Sequence, residues 1–205
     1  GHPRDVLSYQ LTADKENPKI MYAPTFRYDP RKETELVDGC IEAFPKIQES
    51  MEKIDGTFVL RMHPHTWRDY SSRILSKMSA YDRIVLDEEK DVYTTLGRYS
   101  VVISDYSSIS LDFAMLDRPA IYYCPDIVWF KAKQAGFNLD FEASVPGPIV
   151  DSWDEVIKQV EKYVEDPKKD SDFRKEKCKY FFDSKVNGPD NSERITQEIK
   201  KRIGL

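Results

Sequence analysis

Short apolar runs alternate with longer amphipathic stretches along this chain. Lys19-Ile20-Met21-Tyr22-Ala23, Thr57-Phe58-Val59-Leu60-Arg61-Met62, Arg83-Ile84-Val85-Leu86, Val101-Val102-Ile103-Ser104 and Pro119-Ala120-Ile121-Tyr122-Tyr123-Cys124 are rich in β-branched and aromatic residues. That is the pattern of strands buried on both faces of a parallel sheet. Between them the apolar residues recur at helical spacing. Leu36, Val37, Ile41, Phe44, Ile47, Met51 and Ile54 predict helix over 33–54, divided or kinked at Pro45, which lacks an N–H and crowds the preceding turn. Helix is also predicted over 67–79, as a short piece over 91–96, and from Ser107 to about 116. Ser152 opens another with the capping-box spacing Ser152…Glu155, and 172–182 and 191–203 follow. The stretch 125–148 is apolar and aromatic without a clear period, which predicts an ordered loop.

Strands alternating with helices in units of about 20–30 residues predict an α/β fold, a Rossmann-like doubly wound parallel sheet. In such sheets ligands bind outside the carboxyl ends of the strands. The strand ends here are Thr25-Phe26-Arg27, Arg61-Met62-His63-Pro64, Asp87 and Asp105-Tyr106-Ser107-Ser108. An arginine grips phosphate bidentately, a histidine supplies a proton or a charge-assisted bond, and serines add hydroxyls beside free helix-start amides. On the stretch 101–114 alone, Ser107 as an N-cap with Ser108 at N1 explains the two serines as well as an anion site does. The gathering of Arg27, Arg61, His63, Ser107 and Ser108 at one edge favours a nucleotide-phosphate site.

Composition narrows the picture. The chain has 205 residues, 40% hydrophobic and 33% charged, with a net charge of −5 and no lysine- or arginine-rich run. A broad electrostatic footprint for nucleic acid or an anionic membrane is therefore not expected. Cys40, Cys124 and Cys178 form no C-x-x-C pair, which speaks against a disulfide framework or zinc knuckle and fits a reducing compartment. No apolar run is long enough to span a bilayer and no signal peptide opens the chain, so the expectation is a soluble, intracellular piece.

Four motifs occur in a fixed order: Tyr22-Ala23-Pro24-Thr25-Phe26-Arg27, Arg61-Met62-His63-Pro64, Ile103-Ser104-Asp105-Tyr106-Ser107-Ser108 and Pro146-Gly147-Pro148-Ile149-Val150. In this the chain resembles, from Gly1 to its last helix, the carboxyl-terminal domain of the CDP-glycerol glycerophosphotransferases, the teichoic-acid primases and polymerases of bacteria. The resemblance implies the carboxyl-terminal half of a GT-B enzyme, residues 1–205 forming one nucleotide-binding Rossmann-like domain with carboxyl-terminal helices. It implies a CDP-activated donor and metal-independent transfer, without a cofactor, to a membrane-linked polymer acceptor. The full-length protein would then lie in the cytoplasm, peripheral at the inner face of the plasma membrane. A His-Pro motif paired with a Ser-Ser motif is also similar to the one with which bacterial CMP-sialic acid transferases hold the CMP phosphate. By that resemblance His63 is the catalytic candidate, and Ser107 and Ser108 take the donor phosphates with Arg61, Arg27 and Thr25. Asp105 is expected to orient His63 or the serine loop, since a carboxylate repels phosphate. The Pro146-Gly147-Pro148 loop is a candidate for the cytosine edge. The His-Gly-Thr-Pro motif of the family's amino-terminal lobe, thought to carry the base, does not occur here. The acceptor lobe is accordingly expected outside this chain.

Other readings stand beside these. His63 before proline also suits a buried structural histidine, and His63-Pro64-His65 has H-x-H metal spacing with only His2 besides. Asp112 reads as a surface or helix-pairing charge, and Tyr122, Tyr123, Trp129 and Phe130 as core or lobe interface. A Ser107–His63–Asp105 hydrolase triad lacks the G-x-S-x-G elbow. A CMP-sugar-dependent capsule or lipooligosaccharide glycosyltransferase and a non-catalytic phosphate-sensing α/β module remain as alternative functions.

Overall fold

The structure is a computed structural model and describes residues 13–14, 16–134, 136–181 and 190–204. The opening residues 1–5, with His2, lie outside them, as does the last residue of the helix expected over 172–182. The elements in chain order are β1 (Lys19–Ala23), α1 (Pro30–Glu42), α2 (Phe44–Lys53), β2 (Thr57–Leu60), α3 (Pro64–Met78) and β3 (Ile84–Leu86). Two 3₁₀ turns, Val92–Thr94 and Leu96–Arg98, lead into β4 (Val101–Ser104), α4 (Ile109–Ala114) and β5 (Ala120–Tyr123). Then come α5 (Ile127–Lys133), α6 (Phe141–Ser144), β6 (Ile149–Val150), α7 (Trp153–Glu165), α8 (Ser171–Cys178) and α9 (Asn191–Ile203).

The strands form a six-stranded sheet in the order β3-β2-β1-β4-β5-β6, and every neighbouring pair is parallel. This is the doubly wound Rossmann order, in which the direction of winding reverses between β1 and β4. The apolar runs are continuous because both faces are covered. Ile20, Tyr22, Val101 and Ile103 pack on one face with α1, α2 and α7, while Met21, Val102 and Ala120 pack on the other with Leu96 and Phe113. At the reversal Ser104 is held against Ala23 in register, and its hydroxyl donates to the Ala23 carbonyl at 2.6 Å.

Proline marks the helix starts. Pro30, Pro45 and Pro64 all occupy a first-turn position, where a missing N–H costs nothing. The helix expected over 33–54 is therefore two, separated at Ala43. The one expected from 67 begins at Pro64, with His63 as its N-cap. The stretch 125–148, expected as loop, contains α5 and α6. Their order comes from an aromatic stack in which Tyr106, Phe130, Phe137 and Phe141 pack ring on ring, Tyr106 to Phe130 at 3.7 Å.

Pro146-Gly147-Pro148 is not at the ligand-binding edge. It enters β6 from the amino edge of the sheet, where Pro148 accepts the Tyr122 N–H at 2.8 Å and a Cβ on Gly147 would fall 1.9 Å from the Ala120 carbonyl oxygen. The motif is a close approach of backbones that only glycine permits, and the expected contact with cytosine is corrected accordingly. Gly147→Ala should destabilise the fold by about 3 kcal/mol or more, read as a lowered urea midpoint. A midpoint unchanged from wild type would refute the close approach.

Candidate functional site

The reversal point of the sheet opens a cleft of ≈ 560 Å³ outside the carboxyl ends of β1, β2 and β3. Its walls bring together His63, Arg61 and Ser107, three of the residues picked from sequence, with the Asp87-Glu88-Glu89-Lys90 run after β3. Ser107 also lines a second cavity of ≈ 230 Å³, where it is joined by Ser108 and by Tyr122, Phe137 and Phe141. Ser107 thus stands at the partition between an open polar cleft and a smaller aromatic one, with Ser108 on the aromatic side.

His63 is exposed and sits where β2 gives way to α3. Its Nδ1 accepts the His65 backbone N–H at 3.2 Å, which caps the helix and leaves the neutral ring's proton on Nε2. The imidazole packs against both Phe26, at 5.6 Å, and His65, at 5.3 Å, and those two rings meet each other at 5.1 Å, so the three form one aromatic cluster. Partial desolvation and then His65 lower its proton affinity below the usual imidazole range, with Glu33 opposing. His63 is therefore a directed N–H donor, not a buried core histidine. No cluster of His, Cys, Asp or Glu side chains able to hold a metal ion occurs among the described residues.

The serines are placed differently from the capping reading. Ser108, not Ser107, is the N-cap of α4, and its side chain makes no capping bond. Ser107 Oγ accepts the Ile109 N–H at a long 3.4 Å, while its carbonyl accepts the Ser110 hydroxyl at 2.8 Å. Backbone is fixed and hydroxyls are left to turn.

Arg27, expected at the donor pyrophosphate, is instead 0% exposed. Its Nη1 meets Asp105 Oδ2 at 2.8 Å and donates to the Thr25 carbonyl, while Nε and Nη2 donate to Asp126 at 2.7 and 3.0 Å. Tyr106 lies under the guanidinium at 5.0 Å and donates its hydroxyl to Asp126 at 3.0 Å. A guanidinium fully engaged by protein acceptors holds the site's framework and does not reach a ligand. Thr25 belongs to the same framework, its N–H donating to Asp105 at 2.9 and 3.1 Å.

Asp105 is 1% exposed and also accepts the Tyr106 N–H at 2.6 Å. It ties the loop after β1 to the start of the serine loop through the Thr25 and Tyr106 N–H groups and makes no bond to His63, so no Ser107–His63–Asp105 hydrolase triad forms. Burial pushes its carboxyl above the usual range, and Arg27 is the first of the groups that pull it back. Arg61 does reach the cleft, yet its Nη1 bonds Asp87 at 2.7 Å and the Glu89 carbonyl at 2.9 Å. Much of its charge is neutralised there. Asp112, expected as a surface or helix-pairing charge, is not at the surface: it is buried and accepts the Tyr93 hydroxyl at 2.6 Å. Asp126 is the functional-site residue that sequence reasoning missed. Its place just beyond β5, after Pro125, was the available signal, since the rule that picked the other strand ends applies there too.

Comparison with known proteins follows the geometry. The sequence profile of the CDP-Glycerol:Poly(glycerophosphate) glycerophosphotransferase family matches residues 4–201. A teichoic acid poly(glycerol phosphate) polymerase of Bacillus subtilis is 29% identical over 157 residues, which cover 76% of this chain and 20% of that protein. A teichoic acid ribitol-phosphate primase of Bacillus spizizenii is 26% identical over 189 residues, 90% of this chain and 44% of that one. The chain thus spans less than half the length of these relatives. Among solved structures, the wall teichoic acid polymerase TagF superposes with a TM-score of 0.66 at 24% identity, over 98% of this chain and 47% of TagF. A UDP-GlcNAc 2-epimerase of Methanocaldococcus jannaschii, solved with UDP-GlcNAc and UDP, superposes with a TM-score of 0.55 at 14% identity, over 91% of this chain and 46% of that one. These likenesses support the fold read from the sequence, one Rossmann-like half of a GT-B arrangement.

Proposed function

The chain belongs to the CDP-Glycerol:Poly(glycerophosphate) glycerophosphotransferase family, and from that premise we propose that it is the donor-binding lobe of an enzyme moving a polyol phosphate from a CDP-polyol to a teichoic-acid-type polymer. The observation that carries this reading is the single cleft shared by His63, Arg61 and Ser107 at the sheet's reversal point. In the reaction an acceptor hydroxyl attacks the β-phosphorus of the donor. A new P–O bond forms, the bond to the bridging oxygen breaks, and CMP leaves. Negative charge grows on the bridging oxygen and the α-phosphate, where fixed donors contribute most. His63 Nε2–H and the hydroxyls of Ser107 and Ser108 supply them, so the step runs without a metal cofactor.

The two ends of the cleft suit the two ends of the donor. Asp87, Glu88 and Glu89 repel phosphate but accept hydrogen bonds from ribose hydroxyls and from the cytosine amino group, whose donor character carboxylates read well. The nucleoside therefore lies along the β3 side and the phosphates along the His63–Ser107 side. The attacking hydroxyl and its base come from the acceptor lobe in the longer protein, which meets its membrane-linked polymer at the inner face of the plasma membrane.

Ser107→Ala combined with Ser108→Ala should raise the KM for CDP-glycerol by about 10- to 100-fold, the loss of one or two hydrogen bonds to a charged group. Running CDP-ribitol and CMP-sialic acid beside it identifies the donor. A double variant that only melts earlier, with KM unchanged, would reduce the serines to helix capping and remove the proposal's phosphate site.

A further inference from the structure

Glu33 is a carboxylate in the interior, 2% exposed, with no ion pair among the described residues. Oε2 accepts the Arg27 backbone N–H at 2.8 Å, and Oε1 accepts the Thr66 hydroxyl. The guanidinium of Arg27 is taken by Asp105 and Asp126, so Glu33 receives that residue's amide but not its charge. Burying a carboxylate against neutral donors alone is unfavourable.

Both of its bonds lead to His63. Arg27 follows Phe26, whose ring stacks on the imidazole at 5.6 Å. Thr66 lies in the first turn of α3, the turn His63 caps through the His65 N–H. Glu33, from α1, thus joins the two sides of the pocket in which the ring stands. The charged and titratable groups around that ring are His65 on its own helix, Glu33 behind it, and Arg61, Asp87, Glu88, Glu89 and Lys90 across the cleft. Of the neighbouring charges, His65 pushes the ring's proton affinity down and Glu33 pushes it up.

We propose that Glu33 is a positioning residue for His63: it clamps the Phe26–Arg27 loop onto the first turn of α3 and stands a negative charge behind the imidazole that faces the donor. The inference rests on the assignment of His63 to the donor phosphates. A carboxylate near the ring favours the imidazolium form of His63, which is the stronger hydrogen-bond donor to the charge developing on CMP.

The test is Glu33→Gln, which keeps side-chain volume and removes the charge, assayed in the full-length enzyme while the His63 titration is followed by NMR in this chain. The His63 midpoint should fall, kcat should drop about tenfold or more, and the KM for CDP-glycerol should hold, because Glu33 does not touch the donor. Thr66→Val cuts one strut but keeps the charge: kcat should fall while the His63 midpoint stays. An unmoved His63 midpoint in Glu33→Gln, whatever happens to its melting temperature, overturns the inference. Should that variant fail to fold, wild-type kcat in Thr66→Val overturns it instead. If His63→Ala itself turns over at the wild-type rate, it is the donor-site reading that has failed. An inert Glu33→Gln beside an inactive His63→Ala sinks only the positioning role.

Discussion

His63→Ala in the full-length enzyme should lower kcat by about 10²- to 10⁴-fold while the protein stays folded. That range is what a positioned proton donor contributes. Folding survives because the ring is exposed and makes few contacts of its own, chiefly the stack with Phe26 and His65. The substitution also removes the N-cap of α3, a loss of about 1 kcal/mol, so stability and activity need separating. His63→Asn does this. Asparagine restores a side-chain acceptor for the His65 N–H but carries no imidazole, so its melting temperature should return toward wild type with kcat still low. Recovery of turnover in His63→Asn would make the histidine a cap and nothing more.

Arg27→Ala should be the most damaging single change to the fold of the site. It strips the cation from two carboxylates, Asp105 and Asp126, whose side chains are 1% and 12% exposed. Removing one partner of a buried pair costs about 3–5 kcal/mol, because the other charge is left without compensation. Arg27→Lys should recover little, since a single ammonium cannot donate along both edges of Asp126 and to Asp105 together. The effect carries a pH signature. Burial already holds the Asp105 carboxyl above its ordinary range and Arg27 opposes this, so losing Arg27 raises it further. A carboxyl whose folded-state pKa is raised contributes stability that is present at low pH and lost as pH rises through that value. The difference between Arg27→Ala and wild type should thus be largest at neutral pH and shrink on acidification. A gap independent of pH would mean that the carboxylates are not the cause.

The contrast between His63 and Arg27 shows what a sequence discloses about such a site. Strand-end position alone selected both, and along with them Arg61, Ser107 and Asp105. That rule depends on the alternation of β and α units, which the continuous apolar runs make plain. It says which edge a residue occupies, not which way its side chain turns. Arg27 turns inward because Asp126 awaits it 99 positions along the chain and Asp105 lies closer, and no local pattern encodes either pairing. The same holds for α5 and α6, whose order comes from rings of Tyr106, Phe130, Phe137 and Phe141 meeting across loops. Pro146-Gly147-Pro148 was legible as a motif but not as a backbone approach at the opposite edge. His63 was legible in both position and exposure. Its proline at N1 starts a helix at once, which leaves the preceding side chain at the cleft mouth.

The most direct test of the central claim is titration of this chain with CMP, by calorimetry and by the NMR signals of His63. If the phosphates of a cytidine donor sit between His63 and the serine loop, CMP binds saturably. The His63 midpoint then rises, since a phosphate dianion beside Nε2 favours the imidazolium, and affinity is lost in the Ser107→Ala, Ser108→Ala variant. No heat with unmoved His63 signals, or equal affinity in the serine variant, would contradict the account.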